Sequence, residues 1–377
     1  MIYLDNAATT KPSEQSVSAI LNTLSNNFGN PSSLHKLGVE AEREVTKSRK
    51  IIAAALVADP ECVYFTSGAT ESNNLAINGI TENYGKRRKK IITTAIEHPS
   101  ISEPIKRLED LGFDVVRIKP DPNGEVEYES IIFHVDDRTC LVSCMLVNNE
   151  TGAILPIKKA FTYIKRNFPE VITHCDAVQA FMKIPFKANQ IFADVISISA
   201  HKINGPKGIG AIYIKKGIRI AAQMNGGGQE KKIRSGTESV PLIAGFGAAV
   251  EEKIQTVSQR LDYVQGLKSY FLEVVDVLKG ITIISSPDAS PYIVNFAIEG
   301  IKSETMLHFL ESRDIFVSSG SACSKGKKSE VLKAFNVTEK LLDFSIRVSF
   351  SDKNTKEEID ALIEAIADGQ ATLQKSN

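Results

Sequence analysis

The sequence carries no excess of charge of either sign: Lys and Arg number 45, Asp and Glu 45, and the formal net charge is zero. A whole-protein nucleic-acid or membrane-surface footprint needs a basic excess, so neither is expected, and no direct nucleic-acid partner is read. Long apolar runs are missing too. None approaches the roughly 18 residues that a membrane-spanning helix requires. The first residues, Met1-Ile2-Tyr3-Leu4-Asp5-Asn6, have no basic leader and place an acid early, unlike a secretory signal. Cysteine is sparse, with five residues (62, 140, 144, 175 and 323) and no Cys-x-x-Cys pair. An odd, thinly spread set argues against a disulfide framework and for a reducing, cytoplasmic setting. No metal site is expected. There is no internal repeat and no low-complexity tract. With 42% hydrophobic and 24% charged residues the chain is not disordered, and 377 residues suggest about two to three domains.

What is present is an alternation. Short Val- and Ile-rich runs at 62–66, 91–95, 113–118, 140–147, 171–175, 193–198 and 209–214 read as strands, most of them apolar on both faces. Strands of that kind are buried on both sides in a mostly parallel sheet. Helical patterns at 39–57, 71–80, 100–111 and 156–167 lie between them, which predicts a doubly wound α/β unit. Residues 239–278 read as nearly all helical. Beyond them the texture changes: strands at 281–285, 292–298, 315–317 and 344–349, and helices at 303–312 and from about 356, predict a smaller α+β unit. Thr355 with Glu358 forms a capping-box signature for the last helix.

Five places carry chemistry. Ser199-Ala200-His201-Lys202 ends a strand and runs into the Gly-rich turn 204–210. Lys202 reads either as a surface lysine opening a loop or as an amine that holds an aldehyde cofactor as a Schiff base. It precedes the glycines, so the turn is not a nucleotide-hydrolase phosphate loop. Asp176 ends the strand at 171–175. It reads as a helix cap or as a carboxylate facing the crevice where such sheets bind ligands. Pyridoxal phosphate needs an acid beside its ring nitrogen and a lysine on its aldehyde, and Asp176 with Lys202 answers both needs. Thr66-Ser67-Gly68-Ala69-Thr70 turns from a strand into a helix, whose first amides suit a phosphate, together with the hydroxyls of Thr70 and Ser199. His98 follows a strand and precedes Pro99, a position from which an imidazole can lie on a ring face and relay protons. Cys323 sits in a Ser/Gly/Lys-rich stretch at 318–329, too polar for a core thiol. It reads as an incidental surface thiol or as a nucleophile whose thiolate Lys325, Lys327 and Lys328 favour.

These segments also resemble a known family along the whole chain. Tyr3-Leu4-Asp5-Asn6-Ala7-Ala8-Thr9-Thr10, Gly29-Asn30-Pro31-Ser32-Ser33-x-His35, Thr66 to Asn74, Glu97-His98 and Val147-Asn148-Asn149-Glu150-Thr151-Gly152 match it. So do Asp176-Ala177-x-Gln179, Ala200-His201-Lys202-x-x-Gly205-Pro206-Lys207-Gly208-x-Gly210, Gly226 to Glu230, Arg234 to Glu238, Ser318 to Cys323 and Ser345-Ile346-Arg347-x-Ser349. In that order they resemble cysteine desulfurases of the NifS/IscS type, within the class V aminotransferase group of fold-type I pyridoxal phosphate enzymes. The Ser-Ser-Gly-Ser-Ala-Cys stretch resembles the long-loop members.

The resemblance implies a fold-type I architecture: an N-terminal arm at 1–15, a large cofactor-binding domain at 16–257 and a small domain at 258–377 with the Cys323 loop at about 318–330. It implies pyridoxal 5'-phosphate bound to Lys202, with Asp176 on the ring nitrogen, Gln179 on the ring hydroxyl and His98 stacked on the ring. Ala69, Thr70, Ser199 and His201 would hold the phosphate, with Thr237 reaching in from the second subunit of a homodimer. Asn149 would contact cofactor or substrate, and Arg347 would clamp the substrate carboxylate. The implied activity removes sulfur from L-cysteine, giving L-alanine and a persulfide on Cys323. A sulfur-acceptor protein of iron-sulfur cluster assembly, tRNA thiolation or thiamine synthesis would be the partner. The alternatives are a class V aminotransferase, a selenocysteine lyase or a non-catalytic assembly scaffold. Where the family usually has Gly-Arg after the Arg347 motif, this chain has Ser351-Asp352.

Overall fold

The computed structural model describes residues 1–319 and 328–374. Strand β1 (Ile2–Tyr3) opens the chain, and the helices Glu14–Asn26 and Lys36–Leu56 follow. Next come β2 (Val63–Thr66), β3 (Lys90–Thr94), β4 (Asp114–Ile118), β5 (Thr139–Met145), β6 (Ile172–Asp176), β7 (Val195–Ser199) and β8 (Gly210–Ile214). They form one seven-stranded sheet in the order β2-β8-β7-β6-β5-β3-β4. The run from β7 to β4 is parallel throughout, and β8 alone runs antiparallel to both its neighbours. The Val- and Ile-rich runs predicted as strands become this sheet. Residues of β3, β5, β6, β7 and β8 are all buried, as sequences apolar on both faces require.

The helices Ala69–Tyr84, Pro99–Asp110 and Ile157–Asn167 cover the sheet between its strands. The stretch 239–278 is two helices rather than one, Val240–Lys253 and Val257–Val275, broken at Ile254–Thr256. The first packs against Glu14–Asn26 and Lys36–Leu56 and joins the core of the large sheet through Val240, Ile243, Phe246 and Val250. The second turns its apolar stripe (Val264, Leu267, Phe271, Val275) to a separate core.

That separate core belongs to a four-stranded antiparallel sheet, β12-β13-β10-β9, made of β9 (Ile281–Ile283), β10 (Ile293–Ile298), β12 (Ser318–Ser319) and β13 (Ser345–Ser349). The helix Ser303–Glu311 and the capped last helix Lys356–Thr372 close over it, the latter with the capping box of Thr355 and Glu358 in place. The N-terminus is tied into this unit: β1 pairs in parallel with β11 (Ile315–Phe316), and Leu4 is fully buried in its core. Asp352 explains what the unusual Ser351-Asp352 pair does. Its carboxylate takes Arg260 and lies 3.8 Å from Lys253, so it bridges the two helices to the end of β13.

A polar row crosses the middle of the large sheet. His174 on β6 is wholly buried, with Nδ1 2.9 Å from Ser143 Oγ on β5 and Nε2 3.0 Å from Ser197 Oγ on β7. Burial pushes its pKa down to about 3, so it is neutral whenever the protein is folded. The unfolded chain binds a proton on His174 below its ordinary value and the folded chain does not. Its stabilising share is therefore present above pH ~6.5 and is lost as pH falls toward the folded value. The melting temperature is expected to drop between pH 6.5 and 4, and His174→Gln should flatten that slope. Parallel slopes for the two proteins would remove His174 from the account.

Candidate active site

Register brings the site together. Asp176, the last residue of β6, pairs with Ser197 on β7, and Ser199, the last residue of β7, pairs with Gly210 on β8. Lys202 follows one turn later in the short helix Ala200–Lys202. Gly210 also pairs with Thr66. Only glycine fits there: a Cβ would meet Ile198 O at 2.7 Å and Gly68 Cα at 2.8 Å. This close approach seats the Gly68 turn, and with it the N-terminus of the helix Ala69–Tyr84, beside Ser199.

The result is a cavity of about 640 Å³ along the carboxyl edge of the sheet. Lys202, Asp176, His98, Asn149, Gln179, Ala69, Thr70, Ser199, His201 and Arg347 all line it. Those ten sequence-predicted residues come from segments far apart in the chain. Thr237 is exposed and does not line the cavity of its own chain. Cys323 lies outside the described residues. Lys328, read as a support for its thiolate, is held by Glu339 at 2.8 Å and Asp343 at 3.2 Å.

Asp176 is almost fully buried. Its Oδ2 accepts from Asn73 Nδ2 at 2.8 Å and its Oδ1 from the Val178 amide at 2.9 Å. Asn73 Nδ2 also donates to Ser100 Oγ at 2.8 Å, and Ser100 Oγ lies 2.9 Å from His98 Nδ1. The Ser100 amide donates to the same Nδ1, which therefore accepts and leaves the proton of a neutral His98 on Nε2. Burial holds His98 below the ordinary imidazole range; the Asp176 charge opposes that shift and the Lys202 charge adds to it. Asn73 and Ser100 are thus shared supports of two predicted site residues, and nothing in their local sequence pattern singled them out.

Cations crowd the opposite wall. Lys202 Nζ donates to the Ala7 and Ala8 carbonyls at 2.6 and 2.7 Å. His201 is pushed down to about 4, first by burial and then by the charges of Lys202, Lys207 and Lys183. Neutral His201 lies with Nδ1 3.2 Å from Thr9 Oγ1. Arg347, on β13, donates from Nη2 to Asp5 Oδ1 at 2.8 Å and from Nη1 to the Asn149 carbonyl at 2.9 Å. Arg347 Nε and Asn149 Oδ1 are buried and have no hydrogen-bond partner among the described residues. Asp5 stands in the sequence only as part of a motif; as the partner of Arg347 it is a site residue that sequence reading missed. Two unsatisfied buried polar atoms beside a cation-rich cavity describe a place built for a polar, anionic ligand.

The class V aminotransferase model matches residues 2–362. A NifS/IscS protein homolog of Lactobacillus delbrueckii subsp. bulgaricus is 40% identical over 374 residues, 97% of this chain and 96% of that one. The cysteine desulfurase IscS of Methanosarcina thermophila is 36% identical over 368 residues, 97% of this chain and 91% of its own. Among solved structures, a NifS-like protein superposes with a TM-score of 0.93 at 35% identity, covering 99% of this chain and all of that one. SspA in complex with cysteine reaches 0.84 at 30% identity, over 94% of this chain and all of that one. The chain belongs to the class V aminotransferase family, with the fold-type I architecture. Within it, the chain is a member of the NifS/IscS cysteine desulfurase group.

Proposed function

We propose that this protein is a pyridoxal 5'-phosphate-dependent cysteine desulfurase that converts L-cysteine to L-alanine and carries the released sulfur on Cys323. The convergence of Lys202, Asp176, His98 and Arg347 on one cavity carries the reading. Its relatives include cysteine desulfurases, and a structural neighbour was solved with cysteine bound.

The residues present fit the cofactor. A helix of 16 residues starts at Ala69, and its first amides have no intrahelical acceptor, so Ala69 and Thr70 with Ser199 and His201 suit the phosphate. Asp176 suits a protonated ring nitrogen, and the unpartnered Asn149 Oδ1 suits a polar group of cofactor or substrate. Lys202 is the amine for the aldehyde. Bound pyridoxal phosphate supplies an electron-accepting ring that stabilises negative charge at the substrate Cα.

The chain's own groups do the rest. The Arg347 guanidinium, already fixed by Asp5 and the Asn149 carbonyl, orients the substrate carboxylate. Lys202 Nζ, which lines the cavity, takes the proton from Cα and holds it for return. Asn73 keeps the Asp176 carboxylate in place, and Ser100 keeps His98 turned with its Nε2 proton available. Cys323 thiolate attacks the substrate sulfur: the S–S bond forms as the Cβ–S bond breaks, the electron pair of that bond stays with the carbon skeleton, and the skeleton takes up protons and leaves as alanine while the persulfide stays on Cys323. Cys62, Cys140, Cys144 and Cys175 are buried, and burial raises the thiol pKa of each, so none is a competing nucleophile.

We assign the arm, large domain and small domain to 1–15, 16–257 and 258–377, and place the protein in the cytoplasm, where its buried thiols stay reduced. Among the described residues no helix is long and apolar enough to cross a membrane. The sulfur acceptor is a protein of iron-sulfur cluster assembly, tRNA thiolation or thiamine synthesis. The protein acts as a homodimer. Exposed Leu21, Leu24, Phe28 and Leu34 supply apolar surface for a second copy, from which Thr237 reaches the phosphate.

Lys202→Ala should lose the visible absorbance of the lysine-bound cofactor and all turnover. Cys323→Ala should stay yellow and take up cysteine, yet gain no mass of one sulfur atom. A sulfur adduct with normal alanine release in Cys323→Ala would sink the nucleophile assignment. Thr237→Ala should weaken cofactor retention by about 1.5–3 kcal/mol, one hydrogen bond to an anion. Full cofactor retention in that variant, or a fully active monomer in sedimentation, would contradict the shared site.

A further inference from the structure

Lys183 lies behind the cavity wall and has no part in the chemistry above. It is almost wholly buried, yet among the described residues no carboxylate lies within ion-pair distance of its Nζ. Its Nζ lies 5.7 Å from the centre of the Tyr292 ring and donates to Gln179 Oε1 at 2.9 Å. Burial and the charges of Lys202, Lys253 and Arg347 push its pKa down to about 7. A buried amine surrounded by cations is costly to keep, and apolar side chains of similar length would fill the same space without that cost.

The hydrogen bonds suggest what it is kept for. Gln179 Nε2 donates to the Ala7 carbonyl at 2.9 Å. A carbonyl oxygen can only accept, so the amide cannot be flipped without setting oxygen against oxygen. Lys183 then fills Oε1 from the other side, as a donor in either protonation state. The Ala7 carbonyl is shared with Lys202 Nζ, whereas the hold of Lys183 on Oε1 does not depend on Lys202. The amide has one N–H spent on Ala7 and one left, and its side chain lines the cavity.

We propose that Lys183 is a positioning residue: by occupying Gln179 Oε1 it keeps Gln179 facing the ligand as a hydrogen-bond donor, and so favours a ring oxygen in its anionic form. This rests on the pyridoxal phosphate reading of the cavity. The spacing of four residues places Lys183 and Gln179 on one side of a turn, so the pair is built into the local chain.

The test is a double-mutant cycle on cofactor binding. Lys183→Met, Gln179→Leu and the double variant are stripped of cofactor and titrated with pyridoxal 5'-phosphate. The dissociation constant and the pH midpoint of the visible chromophore are read. Each single variant should bind about tenfold more weakly and shift the midpoint upward, and the double variant should be no worse than Gln179→Leu. Wild-type values in Lys183→Met, or a Lys183→Met loss that persists in full in the Gln179→Leu background, would overturn the proposal. Gln179→Glu is the second arm: it keeps a partner for Lys183 but sets a carboxylate oxygen against the Ala7 carbonyl and leaves no N–H for the ligand, so it should melt somewhat lower than wild type and bind weakly. Wild-type affinity in that variant also overturns it. Failure of the wild-type protein to bind the cofactor at all would instead overturn the functional reading beneath it.

Discussion

Parallel pairing of β6 with β7 is the constraint on which the site depends. It sets Asp176 opposite Ser197 and ends both strands at the same edge, so the carboxylate and the Ser199–Lys202 turn open into one crevice. Crevices at the carboxyl ends of parallel strands are where doubly wound sheets bind ligands. The antiparallel β8 then contributes Gly210, whose missing side chain lets the Gly68 turn and a helix N-terminus close in. A one-residue slip of β6 against β7 would turn Asp176 into the core and dissolve the arrangement.

The small sheet completes what the large one begins. Arg347 comes from β13, and the N-terminal arm, anchored through β1 and the buried Leu4, supplies Asp5, Ala7 and Ala8. Asp5 holds Arg347, and the Ala7 carbonyl gathers both Lys202 and Gln179. The arm therefore sits at the junction of both walls of the cavity. Polar groups this deep persist because most are paired or neutral. Glu97, next to His98, is pushed up to about 8 by burial. Its Oε1 accepts from Thr94 and the Met145 amide, and both bonds favour the ionised form, but burial outweighs them.

Much of this was legible in the sequence because burial on both faces writes itself into composition. The seven Val- and Ile-rich runs became the seven strands of the large sheet, within a residue or two at most ends. Lys202, Asp176 and the Gly68 turn stood out because chemistry-bearing residues at strand ends are unusual. The break at Ile254–Thr256 was not legible: no Gly or Pro marks it, and apolar residues continue through it at helical spacing. Asn73, Ser100, Asp5 and Lys183 were not singled out either. Asn73 meets Asp176 103 positions away, and Asp5 meets Arg347 342 positions away, so only the fold reveals them. Lys183 had one local signal, its spacing of four from Gln179, and a lone lysine after Met182 otherwise reads as surface.

The account's central claim is that this cavity takes sulfur out of cysteine rather than exchanging its amino group. The most direct measurement is the product balance of the cofactor-loaded wild-type protein given L-cysteine and a thiol reductant. Alanine and sulfide should appear in equal amounts, with no keto acid formed from cysteine. A keto acid in place of alanine, or no product from a fully loaded protein, would contradict it.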